Sequence, residues 1–175
     1  MPPISEAQTR KQYIDTALKR NGWKKIVPFK EGSSYQDEVV EEYPTESGPA
    51  DYVLFCDGKP LAIVEGKKVA VSPQNVLQQA QRYARTFQNS PYSFGEYKIP
   101  FVFSTNGTLI WFQDLRHPLN RSREIAEFYM PSALKELLSK NEDNARAWLQ
   151  QNTVYNNGLR IYQKEAVQEI GRAHV

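Results

Sequence analysis

Residues 50–68, ADYVLFCDGKPLAIVEGKK, constrain the fold of this chain more than any other stretch. Two short apolar runs, Tyr52–Cys56 and Leu61–Val64, flank Asp57-Gly58-Lys59. An Asp-Gly between β-prone runs signals a hairpin. With the turn centred on Gly58, Asp51 faces Glu65 across the pair, and Lys67 follows on the same side because side chains alternate along a strand. Two carboxylates and an ammonium then converge at the open end of a hairpin whose body is apolar on both faces. Such strands predict a buried sheet with a charged site at its rim.

That trio suits metal-assisted hydrolysis. Two carboxylates offer hard oxygen ligands to Mg²⁺, which keeps several waters and binds phosphate oxygens. A bound metal lowers the pKa of a water and neutralises charge developing on phosphate. Lys67 would orient the attacking water or stabilise the phosphorane, and a carbonyl of the Ala62–Gly66 backbone could add a ligand. On spacing alone, an ordinary polar strand end explains Asp51, Glu65 and Lys67 about as well. Glu6, Glu38, Glu41 and Glu42 are candidates for an additional acidic ligand, although a solvated surface charge is the plainer reading of each.

Asp51, Glu65 and Lys67 resemble the PD-(D/E)xK nuclease signature, with Pro49-Ala50-Asp51 standing where that family has Pro-Asp. The inserted alanine is a departure that leaves the acid in place. Farther along, Gln79 and Tyr83 in QQAQRYAR match the Q-x-x-x-Y element of RecB-like members. Gln8-Thr9-Arg10, Ile14-Asp15, Gly22-Trp23, Ala50-Asp51-Tyr52 and Ser104-Thr105-Asn106-Gly107 are similar, in order, to segments of the N-terminal nuclease domain of type I restriction enzyme R (motor) subunits. The resemblance implies an α/β, restriction-endonuclease-like mixed sheet with an α-β-β-β-α-β core. It implies Mg²⁺-dependent cleavage of double-stranded DNA, with Asp51 and Glu65 as metal ligands and Lys67 as the third catalytic group. Gln79, Tyr83, Lys68 and Arg82 would then support the site or the DNA. It further implies methylation and specificity subunits as partners, with ATP serving a motor.

Composition bounds the reading without deciding it. A chain of 175 residues, 40% hydrophobic and 24% charged, holds one domain with a sizeable core and a small appendage. No apolar run approaches the ~20 residues that cross a bilayer, and MPPISEAQTRKQY lacks a signal peptide's apolar core. Cys56, the single cysteine, reads as a small core hydrophobe, and a cytoplasmic location is expected. With 22 basic and 20 acidic residues, charge neither announces nor excludes a nucleic-acid partner. His117 and His174 have no partner at zinc-ligand spacing.

In chain order, residues 5–20 read as an amphipathic helix capped by Ser5 and closed by Asn21-Gly22. A first strand follows at Val39–Tyr43. Beyond the hairpin, Ser72-Pro73 opens a helix running to about Phe87, with Gln79 and Tyr83 one turn apart. On periodicity alone Tyr83 is better read as a core aromatic, and Arg82 and Arg85 as phosphate contacts or a solvated face. Pro100–Ser104 and Thr108–Phe112 read as a second hairpin. Arg116, His117, Arg121 and Arg123 form a basic segment, followed by helical candidates at Ser132–Leu138 and Glu142–Leu149.

The expected domains are 1–150, nuclease-like with a C-terminal helical appendage, and 151–175, a linker and the start of a helicase-like motor. In the resembling family an R-x-Y-Q segment like Arg160–Gln163 opens that motor, and Gln163 would read adenine. No G-x-x-x-x-G-K-S/T occurs, so this chain is not expected to hydrolyse ATP alone, and it looks like an N-terminal fragment. Two other readings stand beside the nuclease: a non-catalytic DNA- or subunit-binding module of the same fold, and a structural α/β domain whose polar strand tips are incidental.

Overall fold

The computed structural model describes residues 5–68, 72–140, 147–148 and 158–172. The chain divides into two compact units, Met1–Lys135 and Glu136–Val175.

Helix α1 runs through Glu6–Thr9, a π turn at Arg10–Ile14 and Asp15–Arg20. Ser5 caps it reciprocally: its Oγ accepts from Gln8 N at 3.2 Å, and Gln8 Oε1 accepts from Ser5 N at 2.9 Å. Gly22, at φ 87°, ends the helix, with Trp23 N donating to Leu18 O and Gly22 N to Lys19 O. Ile14 and Leu18 are fully buried, as the helical periodicity predicts.

Among the described residues seven strands form one mixed sheet in sequential order: β1 (Ile26–Pro28), β2 (Val39–Thr45), β3 (Gly48–Cys56), β4 (Lys59–Gly66), β5 (Phe101–Thr105), β6 (Ile110–Asp114) and β7 (Arg123–Ile125). Pairs β1–β2 and β4–β5 are parallel and the rest antiparallel. The β4–β5 crossover carries a 3₁₀ turn at Pro73–Val76 and helix α2 (Leu77–Arg85). Helix, three strands, helix and strand thus make the expected α-β-β-β-α-β core. The short edge strands β1 and β7 are additions that the sequence reading did not contain.

The central hairpin forms in a way that differs from the expectation. Its turn is the two-residue Asp57-Gly58, both at positive φ (50° and 75°), which pairs Cys56 with Lys59 and Phe55 with Pro60. This mirror-image turn matches the twist of the flanking strands. A β-bulge then inserts Leu61, so that Leu54 pairs with Ala62, Val53 with Ile63 and Tyr52 with Val64. The bulge restores the register that a turn centred on Gly58 would give, and Asp51 and Glu65 end up at matching positions.

One face of the sheet packs against α2, where Val53, Ile63 and Val102 meet Leu77, Ala80, Tyr83, Ala84 and Phe87. The alternate residues Tyr52, Leu54, Phe101, Phe103 and Phe112 face the other way. Tyr52 there hydrogen-bonds Asp15 of α1, and Phe103 and Phe112 meet Phe128 and Tyr129 edge to face ahead of helix α3 (Pro131–Ser139). Burial on both faces explains the unbroken apolar runs.

In the second unit, α4 (Ile161–Arg172) opens with Arg160 N donating to Gln163 Oε1 at 2.9 Å. The helical candidate at Glu142–Leu149 lies largely outside the described residues. No described helix is long and apolar enough to cross a membrane.

Candidate active site at the rim of the sheet

Strand β3 delivers Asp51 just beyond its last pair with β4, Tyr52–Val64, the end of β4 delivers Glu65, and the chain leaving β4 delivers Lys67. Lys67 Nζ donates to Glu65 Oε1 at 2.9 Å and lies 3.6 Å from Glu6 Oε1. Its own backbone N–H is tied to Thr105 O at 2.8 Å, which fixes its departure from the sheet. Gly66 N donates to Asp51 Oδ2 at 2.7 Å. All three members of the expected trio therefore meet in one place. Gly66 is needed there: a Cβ on it would come 2.7 Å from Ile14 Cδ1 and 3.4 Å from Asp51 Oδ2. The missing side chain lets α1 close over the rim.

Helix α1 supplies a group that the sequence reading did not place in the site. Arg10 Nη1 donates to Asp51 Oδ1 at 2.7 Å and also to Glu42 Oε1. Both oxygens of Asp51 are thus engaged, one by arginine and one by a backbone amide. Glu42 sits at the β2 position matching Asp51, between the paired Glu41–Tyr52 and Tyr43–Ala50, and takes φ 52°. Of the four acids named as additional ligands, Glu6 and Glu42 join this network. Glu38 instead pairs with Lys25 at 2.7 Å and Glu41 with Lys11 at 2.5 Å.

Glu65 carries the electrostatic tension. It is 2% exposed, and among the described residues its Oε2 has no hydrogen-bond partner. Burial, then the neighbouring Asp51 charge, pushes its carboxyl up to about 7 against the pull of Lys67. Burial likewise raises Asp51, outweighing Gly66 N–H, Arg10 and Lys67. For Lys67, burial acts to lower the pKa, but the hydrogen bond and charge of Glu65 win and raise it. Lys67 is therefore a cation at neutral pH, suited to orienting and charge stabilisation rather than to accepting a proton.

The residues present fit a divalent cation. An orphaned, buried carboxylate oxygen beside a second carboxylate is an arrangement that a hard cation satisfies. Among the described residues no group of three or more His, Cys, Asp or Glu is placed to hold one by side chains alone. A Mg²⁺ site needs only one or two carboxylates when waters and phosphate oxygens complete the shell.

The outer candidates separate from this cluster. Gln79 Nε2 donates to Tyr83 OH at 2.8 Å on α2, and Tyr83 is 5% exposed within the core. Among the described residues no hydrogen bond or ion pair links either of them to Asp51, Glu65 or Lys67. Arg82 is exposed over the Tyr83 ring at 5.6 Å, and Lys68 is exposed. In the basic segment, Arg116 bonds Asp114 and lies over Phe101, while Arg123 bonds Tyr129 OH and lies over Phe112. These two arginines fasten their segment to the sheet.

A buried mixed sheet whose rim brings two acids and a lysine together is the restriction-endonuclease-like fold. The model of the type I restriction enzyme EcoKI endonuclease subunit second domain matches residues 29–138, more than half of the chain, which therefore belongs to that family. The chain is 29% identical over 98% of its length to the type I restriction enzyme EcoKI endonuclease subunit of Escherichia coli (strain K12), spanning 19% of that protein. It is also similar to a fragment structure of a putative HsdR subunit of a type I restriction enzyme from Vibrio vulnificus YJ016, with TM-score 0.57 and 26% identity over 99% of this chain and 32% of that one. The chain thus spans about a fifth of the curated relative, and the resemblance drawn from its motifs is borne out.

Proposed function

We propose that this chain is a Mg²⁺-dependent nuclease module that hydrolyses phosphodiester bonds of double-stranded DNA within a type I restriction R subunit. The observation that carries this reading is Glu65 Oε2, buried beside the Asp51 charge and, among the described residues, without a hydrogen-bond partner. Asp51 and Glu65 would hold the cation, which supplies neutralisation of phosphate charge and Lewis-acid activation of water. Lys67, held cationic by Glu65, orients the nucleophilic water and stabilises the charge that builds on phosphorus. Attack in line by water requires no covalent enzyme intermediate. Glu6, 3.6 Å from Lys67 Nζ, is placed to hold that lysine from the α1 side.

Around this centre, Lys68 and Arg82 offer exposed cations for DNA phosphates, and Gln79–Tyr83 would support the site. Residues 1–150 would form the nuclease module and 151–175 a linker into a motor, with Gln163 contacting adenine. Sequence recognition and methylation would belong to separate subunits, and ATP-driven translocation to that motor. The assembly would work in the cytoplasm.

One observation favours a second reading. With Asp51 Oδ1 already bonded to Arg10, the rim could serve as a filled, non-catalytic element of a DNA- or subunit-binding module. Calorimetry with Mn²⁺, a tighter-binding substitute for Mg²⁺, separates the two. Binding that is lost in both Asp51→Ala and Glu65→Ala, with folding intact by circular dichroism, supports the nuclease. Binding that persists in both variants removes these carboxylates from the metal site.

A further inference from the structure

Arg10 occupies a place that a cation ligand would need. Its Nη1 bridges Asp51 Oδ1, on a side chain 12% exposed, and Glu42 Oε1, on a side chain 52% exposed. The guanidinium thus spans a buried acid and a solvated one. While this bond stands a positive charge sits against Asp51 Oδ1 and repels an arriving cation, and Oδ2 accepts from Gly66 N. An alternative seat for the arginine already exists, because Glu42 needs no rearrangement to keep it.

A second, independent feature points the same way. Glu42 takes φ 52°, a left-handed conformation that side chains other than glycine's rarely adopt, inside a strand whose neighbours Glu41 and Tyr43 pair regularly with β3. Such strain persists only where its surroundings impose it, and it concentrates at functional sites. Here the unusual backbone coincides with the Glu42–Arg10 contact. Gly66 lies against the arginine: a Cβ there would come within 3.4 Å of Arg10 Cγ.

Resting on the reading of Asp51 and Glu65 as a cation site, we propose that Arg10 is a resident counter-ion. It holds Asp51 in the metal-free chain and moves wholly onto Glu42 when a divalent cation arrives. Arg10 therefore competes with the metal, and Glu42 assists the metal by receiving the arginine. The pair sets cation affinity without contributing a ligand. The consequence is a nuclease centre that stays charge-compensated, and weak for metal, until the arginine is drawn away.

The test is calorimetric titration of Mn²⁺ into this full chain, with thermal melting of each metal-free variant. Arg10→Met is expected to bind Mn²⁺ on the order of tenfold more tightly than wild type, the scale of one charge-assisted hydrogen bond. Its metal-free Tm should fall, because Asp51 and Glu65 lose a compensating charge. Arg10→Lys should lie near wild type in both readouts, and Arg10→Gln gives the same sign as Arg10→Met should the latter fold poorly. Glu42→Gln is expected to weaken Mn²⁺ binding in the wild-type background and to have no effect once Arg10 is Met. A purely structural arginine would lower Tm and affinity together, and that result overturns the proposal. So does weakening by Glu42→Gln in the Arg10→Met background, which would make Glu42 a ligand. Should Asp51→Ala bind Mn²⁺ as wild type does, the cation-site reading has failed. Loss of binding in Asp51→Ala without tightening in Arg10→Met sinks the arginine's role alone. Absence of Mn²⁺ binding from wild type, Arg10→Met and Arg10→Gln alike overturns both.

Discussion

Helix α1 and strands β2 and β3 carry two ionic clusters one residue apart. In the first, Tyr52 OH donates to Asp15 Oδ1 at 2.7 Å, and Lys11 Nζ lies 3.3 Å from Asp15 Oδ2 and 2.5 Å from Glu41 Oε1. In the second, Arg10 bridges Glu42 and Asp51, and Glu65 lies alongside with Oε2 unbonded among the described residues. Each of Lys11, Glu41 and Tyr52 is the chain neighbour of Arg10, Glu42 and Asp51. Strand alternation turns the two sets apart: one under the helix, the other onto the rim. The first cluster couples helix to sheet and matches its donors to its acceptors. The second keeps a buried acid under-satisfied. A fold gains nothing from that arrangement by itself, because an unpaired buried carboxylate is costly. The contrast between neighbours marks which cluster holds the fold and which is reserved for chemistry.

The largest expected effect sharpens that contrast directly. Asp51→Ala and Glu65→Ala should each abolish Mn²⁺ binding by calorimetry, whereas Tyr52→Phe, on the adjacent residue, should leave the affinity unchanged. An equal loss in Tyr52→Phe would dissolve the distinction between the clusters.

A pH effect comes next. Burial in the folded chain raises the Glu65 carboxyl from its ordinary value to about 7. The stability tied to this group is fully present below its unfolded pKa and is lost as pH rises through 7. Metal-free Tm is therefore expected to fall between about pH 5 and about pH 8, and Glu65→Gln should flatten the profile and raise Tm at its alkaline end. Over the same window Mn²⁺ affinity should climb, since a proton and the metal compete for Glu65. A metal-free Tm that rises with pH, with a profile unaltered in Glu65→Gln, would show that Glu65 is ordinarily solvated.

Smaller effects belong to the structural side. Tyr52→Phe removes a buried hydrogen bond to a carboxylate and should cost about 2 kcal/mol in chemical denaturation. Ser5→Ala breaks the cap of α1 and should cost about 1 kcal/mol. Because α1 carries Glu6 and Arg10, that loss should come with only a slight change in Mn²⁺ affinity. A large change would show that the site depends on the helix end more than the hydrogen bonds indicate.

Much of this architecture was legible in the residues themselves. The apolar runs of β3–β5 announced buried strands, Ser5 and Gly22 marked the ends of α1, and three- and four-residue spacing gave α2. The facing of Asp51 and Glu65 was also legible, although by a different route: Asp57-Gly58 shifts the ladder by one, and the bulge at Leu61 shifts it back. Bulges follow from strand twist and packing, which periodicity does not register. Edge strands β1 and β7, three residues each, are too short to show alternation. Arg10 escaped notice as a site residue because its partner Asp51 lies 41 positions away, and nothing local distinguishes it from Lys11. Only the π turn and the path of α1 over Gly66 decide which of the two cations reaches the rim.

The most direct test is anomalous diffraction from crystals of this chain grown with Mn²⁺. A peak is expected about 2.1 Å from an oxygen of Asp51 and from Glu65 Oε2, with Arg10 on Glu42 alone. A peak elsewhere, or a cation bound with Glu65 Oε2 still unliganded, would contradict it.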